Sequence, residues 1–271
     1  MRKRKKQQKK QIADYDLMDE LEDLDYYGRE TRKPSLSLRI AAGLALLLLA
    51  AAVLFSPLFV VKEIRAEGNS YFTTSALSEK IGLSAGDHML LFNRSKACKL
   101  LKQDPYIADA DIRLEFPDTM VICVQERKVR GYVPYMGAYL YIDDEGRVLD
   151  VQEACHEALP LVKGLLFDSF TKGEVIPVQN REALDSVLRI SQLMEKYELL
   201  DLVVEIDVSV PDDIYAYVNQ VQIHLGNMKN GDTKIRYMAE IMKEIPEEDR
   251  GMLNLSELDK PTGSVVFQYL T

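Results

Sequence analysis

The 271-residue sequence contains no tryptophan, three histidines and three cysteines. A disulfide framework in an oxidising compartment would show more cysteines, and an even number. Cys98, Cys123 and Cys155 therefore read as small hydrophobes rather than as a redox or structural pair. His88 and His224 lack Cys, Asp or Glu partners at metal-ligand spacing, so no metal site is expected. Cys155 and His156 are adjacent, whereas a thiolate–imidazole pair is normally assembled from distant parts of a chain. There is no H-E-x-x-H helix and no Walker loop. The expectation is a chain with no catalytic, cofactor-binding or metal-binding residues, not an enzyme.

Basic residues are scarce over most of the length. Residues 62–271 carry 23 Lys/Arg against 35 Asp/Glu, a net of −12. Such a surface excludes nucleic acid as a partner, because phosphate neutralisation needs clustered cations. The first 39 residues are different, with eleven basic and eight acidic side chains and basic runs at Arg2–Lys6 and Lys9–Lys10. These runs read as a solvated tail or as a contact for anionic lipid headgroups. The stretch Asp14–Tyr27 is acidic and predicts disorder in the free chain. Its Leu17, Leu21 and Leu24 fall on one face if a partner induces a helix.

Charge is missing altogether from Ile40 to Val61. These 22 positions, thirteen of them Leu, Ile, Val or Phe, would span about 33 Å as a helix, enough for a hydrocarbon core of about 30 Å. Pro57 falls near the outer end, where a lost helical hydrogen bond costs least. A cleaved signal peptide would have a shorter apolar stretch behind a shorter basic start, and a core helix would carry a polar stripe. The prediction is one transmembrane helix at 40–61 in the lipid bilayer. Arg29, Arg32, Lys33 and Arg39 precede it with only Glu30 opposing them, whereas Lys62 and Arg65 are balanced by Glu63 and Glu67. By the positive-inside rule the N-terminus is cytoplasmic and residues 62–271 are extracytoplasmic.

Beyond the span, short elements alternate. Lys62–Glu67 predicts a strand ending in a Gly68-Asn69 turn. Thr73 or Thr74 caps a short helix with Leu77 and Ile81 on one face and Gly82 as its stop; Asn93 caps a second, with Ala97, Leu100 and Leu101 inward. Ala110, Ile112 and Leu114 alternate in one strand, Met120, Ile122 and Val124 in the next, around a Phe116-Pro117-Asp118 turn. The order βααββ over 62–128 makes one small α+β layer pair. From 129 onward a second, mostly antiparallel α+β domain is expected. Its predicted elements are a hairpin of Tyr139–Ile142 and Val148–Leu149, a helix over 180–197 and strands at 203–208, 214–218 and 221–225. A helix over 233–245 and strands at 252–255 and 264–270 complete it.

Several of these pieces occur together in one known family. The runs VKEIRAEGNSYFTTSALSEKIGL, GDHMLLFN and DPYIADADIRLEFPDTMVICVQER resemble the POTRA domain of the bacterial division protein family FtsQ, called DivIB in Gram-positive bacteria. The resemblance rests on Gly68-Asn69, Pro105, Phe116-Pro117 and Glu126-Arg127. It continues through Ile142-Asp143-Asp144-Glu145-Gly146, Leu159–Leu165 and His224-Leu225-Gly226, which are similar to the family's β domain. Asn254 stands where the family usually shows Asp. The resemblance implies a non-catalytic scaffold of the division machinery at the septum. It also implies binding to the bitopic proteins FtsL and DivIC (FtsB-like) and help in controlling septal cell-wall synthesis. The other reading, a membrane-tethered cell-wall hydrolase or other envelope enzyme, would require a catalytic motif.

A binding module needs open strand edges. The last predicted strand, SVVFQYL, carries Val265, Phe267 and Tyr269 on one face and Val266 and Gln268 on the other. It reads either as an ordinary core strand or as a sheet edge to which a partner strand adds. Val265, Val266, Phe267 and Tyr269 are the candidate partner-binding residues.

Overall fold

The computed structural model describes residues 35–54, 56–156, 158–259 and 263–270. The basic and acidic tail expected to be disordered lies outside them, apart from its last five residues. By contact density residues 1–57 and 58–271 form two separate units.

In the first unit, helix α1 spans Leu36–Leu54. Leu44, Leu46, Leu47, Leu48 and Leu49 are all exposed, so apolar side chains point outward around its circumference. The single span expected at Ile40–Val61 is therefore corrected at both ends. α1 begins four residues earlier and takes in Arg39, while Pro57–Phe59 forms a 3-10 turn. Proline lacks an N–H and disfavours helical backbone before it, which ends the helix there. Val60 and Val61 already belong to the second unit, where Val60 bridges His88 and Val61 is buried in the core. Among the described residues no helix is long and apolar enough to cross a membrane. The uncharged part of α1, Ile40–Leu54, covers about 22 Å at 1.5 Å per residue.

Within the second unit, the first layer pair has the predicted order: β1 (Glu63–Glu67), α2 (Thr74–Ile81), α3 (Arg94–Leu101), β2 (Ile107–Glu115) and β3 (Thr119–Glu126). The sheet order is β1-β3-β2, with β1 parallel and β2 antiparallel to β3. The caps are those the sequence predicts: Thr73 Oγ1 accepts from the Ala76 N–H and Asn93 from the Lys96 N–H. Gly68 turns the chain out of β1 with φ +79°, and a Cβ there would collide with the Val124 carbonyl. Leu77, Ala97 and Leu101 pack on Ile112, Met120 and Ile122 to form one core. On the helix-free face Val121 is fully buried between its register partners Arg65 and Arg113. Their aliphatic stems cover it, and their guanidinium groups pair with Glu63 and Glu115, and with Glu67.

The second layer pair is one nine-stranded sheet in the order β12-β11-β10-β9-β8-β7-β4-β5-β6. Its strands are β4 (Gly131–Tyr135), β5 (Ala138–Ile142), β6 (Val148–Gln152), β7 (Leu161–Lys163), β8 (Val203–Asp207), β9 (Ile214–Val218), β10 (Val221–Gly226), β11 (Gly251–Asn254) and β12 (Val266–Tyr269). Five of the eight neighbouring pairs are antiparallel; β4–β7, β7–β8 and β10–β11 are parallel. Helices α4 (Arg181–Lys196) and α5 (Gly231–Met242) bury Val187, Ile190 and Met194, and Ile235 and Met238, in the sheet's core. Helix α5 also buries Lys234, whose Nζ donates to the carbonyls of Leu225 (2.9 Å) and Asn227 (2.8 Å).

A candidate partner-binding edge

Strand β12 reaches its place through a reversal after β11. Asn254 accepts from the Ser256 N–H (3.0 Å) and Oγ (2.8 Å), turning the chain into a 3-10 turn at Ser256–Asp259. β12 then pairs antiparallel with β11 in the register Gly251↔Tyr269, Met252↔Gln268, Leu253↔Phe267 and Asn254↔Val266. Among the described residues it has no neighbour on its other side, and it forms one end of the sheet.

The register sorts the four candidate residues. Phe267 continues the row Ala216, Ile223, Leu253, all fully buried, and packs with Val265 against the core. Its ring lies over Gly251, where an added Cβ would collide with it. Of the four candidates, Phe267 is thus half-buried, with its ring packed against the chain's own core. Val266 continues the opposite row Tyr215, His224, Asn254 on the helix-free face and is exposed. Tyr269 is exposed at the sheet margin, edge-on to Phe267 with ring centroids 4.8 Å apart.

The phase of the free edge follows from one bond. The Leu270 N–H donates to the Arg250 carbonyl at 2.9 Å, so residues 250 and 270 form a hydrogen-bonded pair. In an antiparallel ladder such pairs recur every second residue, so Gln268 and Val266 also bond inward to β11. The N–H and C=O groups of Phe267 and Tyr269 therefore point away from the sheet. On the neighbouring helix-free surface, His224 bonds Asp213 (2.5 Å) and stacks on Tyr215, with centroids 4.6 Å apart. Burial and the nearby Asp213 carboxylate push the Tyr215 phenol upward.

A second cluster ties the two layer pairs together. The Glu126 carboxylate accepts the N–H groups of Ser70 (2.6 Å), Tyr71 (2.6 Å) and Phe72 (3.0 Å). Next to it, Arg127 Nη1 donates to Asp143 (2.7 Å) and Glu145 (3.0 Å). Asp143 is fully buried and its Oδ1 accepts from the N–H groups of Glu145 and Arg147, both at 2.9 Å. This is the turn chemistry expected of Asp143–Gly146, now with a charge partner from the first layer pair.

Two spacings associated with serine nucleophiles also occur, and the structure gives each another role. Gly82-Leu83-Ser84-Ala85-Gly86 fits G-x-S-x-G, but it is the left-handed cap and turn after α2 rather than a strand-to-helix elbow. Ser169-Phe170-Thr171-Lys172 fits S-x-x-K but lies in a loop, with Lys172 held by Asp150 at 2.7 Å. Among the described residues no cluster of three metal-ligating side chains occurs.

The fold and this edge define a class: a POTRA layer pair followed by a β domain that ends in an open strand. Residues 59–127 match the FtsQ-type POTRA domain, and residues 131–259 match the C-terminal domain of cell division protein FtsQ/DivIB. The chain belongs to the FtsQ/DivIB family of cell-division proteins. It is 26% identical over 181 residues to cell division protein DivIB of Clostridium acetobutylicum, covering 60% of this chain and 72% of that one. It is 28% identical over 96 residues to DivIB of Staphylococcus aureus, covering 35% of this chain but only 22% of the relative. Against FtsQ of Anaeromyxobacter it is 31% identical over 126 residues, covering 45% and 42%. The solved extracytoplasmic domain of DivIB from Geobacillus stearothermophilus overlaps 45% of this chain and 89% of that one, at 15% identity and a TM-score of 0.27.

Proposed function

We propose that the chain is a non-catalytic, membrane-anchored scaffold of the division machinery that binds FtsL and DivIC through the free edge of β12. The observation that carries this reading is the outward N–H and C=O groups of Phe267 and Tyr269, flanked by the exposed side chains of Val266 and Tyr269. A strand added there gains backbone hydrogen bonds of about 0.5–1.5 kcal/mol net each. Its side chains extend the rows already present on the two faces. The anchor is α1 with the apolar residues after it. Leu44, Leu46, Leu47, Leu48 and Leu49 of this helix are exposed, as in a helix that faces lipid, and Arg39 near its start can reach a headgroup layer. The flanking charges place the N-terminus in the cytoplasm and the remainder outside, at the septum. Residues 62–128 and 129–271 act as two folding units on this anchor.

The test is co-purification of the full chain with an FtsL–DivIC pair, parent against Tyr269→Pro. Proline at 269 removes an outward donor without touching a bond to β11, so binding should fall at least about tenfold while the melting temperature stays near the parent's. Undiminished binding would place the interface elsewhere.

A further inference from the structure

The turn that follows α1 enters an apolar pole of the first layer pair. The Phe59 ring lies edge-on to Phe116 of the β2–β3 turn, with centroids 5.9 Å apart. The Phe59 carbonyl accepts the Met89 N–H at 2.8 Å, and Leu91 and Phe92 both donate to the His88 carbonyl, drawing residues 88–92 into a tight turn. Three separate segments thus meet at one pole, and each leaves a large apolar side chain in the open: Leu58 is 64% exposed, Leu91 59% and Phe116 61%. At its rim Lys62 and Asp118 neutralise each other at 2.9 Å.

We propose that this pole is a lipid-contacting collar, with Leu58, Leu91 and Phe116 inserted into the interfacial layer of the bilayer and Phe59 bracing them from behind. The inference rests on the membrane-anchor reading and goes beyond it. Large apolar residues exposed at one pole mark an interaction surface, and connectivity selects lipid as the occupant. Only Phe55, Ser56 and Pro57 separate Leu58 from the end of α1, a tether of about 14 Å at full extension. Large apolar side chains beside a neutral ion pair suit the headgroup–acyl boundary, where aromatic and leucine side chains partition readily. The collar fixes which pole of the domain faces the membrane and so limits how far the domain can tumble on its tether.

The sequence has no tryptophan, so one introduced tryptophan reports alone. The full chain is reconstituted in phosphatidylcholine–phosphatidylglycerol vesicles carrying brominated acyl chains, with tryptophan placed by Phe116→Trp, Leu91→Trp, Leu48→Trp in α1, or Met136→Trp in the exposed β4–β5 turn of the second layer pair. Emission from the Phe116→Trp and Leu91→Trp proteins should shift to the blue and be quenched, while Met136→Trp emission stays unquenched. Either collar variant suffices if the other fails to fold. Quenching of Leu48→Trp alone keeps the anchor and overturns the collar, leaving the pole as a surface for protein. Quenching of Met136→Trp to the same extent overturns it as well, because the whole domain would then lie on lipid. If Leu48→Trp is not quenched, the anchor reading fails and takes the collar with it.

Discussion

At the residue scale, Glu126 shows how a pair of sequence letters becomes a fold constraint. Burial alone would raise its pKa, but the N–H groups of Tyr71, Phe72 and Ser70 outweigh that cost and hold the carboxyl below its ordinary value. A carboxylate whose folded pKa is depressed contributes stability that is present above its unfolded pKa and is lost as the pH falls toward the folded one. The protein should therefore lose stability below about pH 4.5, since an unfolded glutamate titrates near that value. Glu126→Gln should cost about 1–3 kcal/mol at neutral pH and flatten the loss in acid. Thermal melts of both proteins from pH 3 to 7 measure this, and parallel curves would rule it out. Glu126-Arg127 and Asp143–Gly146 were visible in the sequence as motif pieces, and the turn at 143–146 was legible from its glycine. That Arg127 spans the two layer pairs to reach Asp143 was not legible, because hydrophobic periodicity assigns faces and carries no information about which poles meet.

At the element scale, the helices and long strands were readable because cap residues and apolar spacing agree within each of them. Strands β4 and β7 were not legible: β4 holds a glycine and a proline, and β7 is three residues long and pairs in parallel with residues far away in sequence. The end of α1 was not legible because Val60 and Val61 are as apolar as a membrane segment, yet Val60 bridges His88 and Val61 is buried in a protein core. The last strand was legible as a strand and as a possible edge. Its hydrogen-bond phase was not, since that depends on the register with β11. The phase separates two proline variants that look equivalent in sequence. Val266→Pro removes an inward donor and breaks the β11 pairing, so it should lower the melting temperature, whereas Tyr269→Pro should leave melting near the parent's and lose partner binding. A stable Val266→Pro protein would mean that the ladder has the opposite phase.

For the whole molecule, the two hydrophobic cores share no residue among those described, and the Arg127–Asp143 pair joins the layer pairs that contain them. A fragment of residues 58–128 should accordingly give a dispersed amide spectrum by itself, and a collapsed spectrum would show that the first core depends on the second. Lys234 offers a view of the larger core from within. Its amine is sealed beneath α5 and donates to two carbonyls, whereas Lys229 a few residues earlier lies in solvent. An acylating reagent reaches Lys234 only in the rare moments when the helix lifts from the sheet, so its labelling rate is a clock for that opening. Peptide mass spectrometry should find Lys234 acylated at least about a thousandfold more slowly than Lys229; similar rates would mean that the helix breathes freely and that the buried amine is guarded by nothing more than fraying.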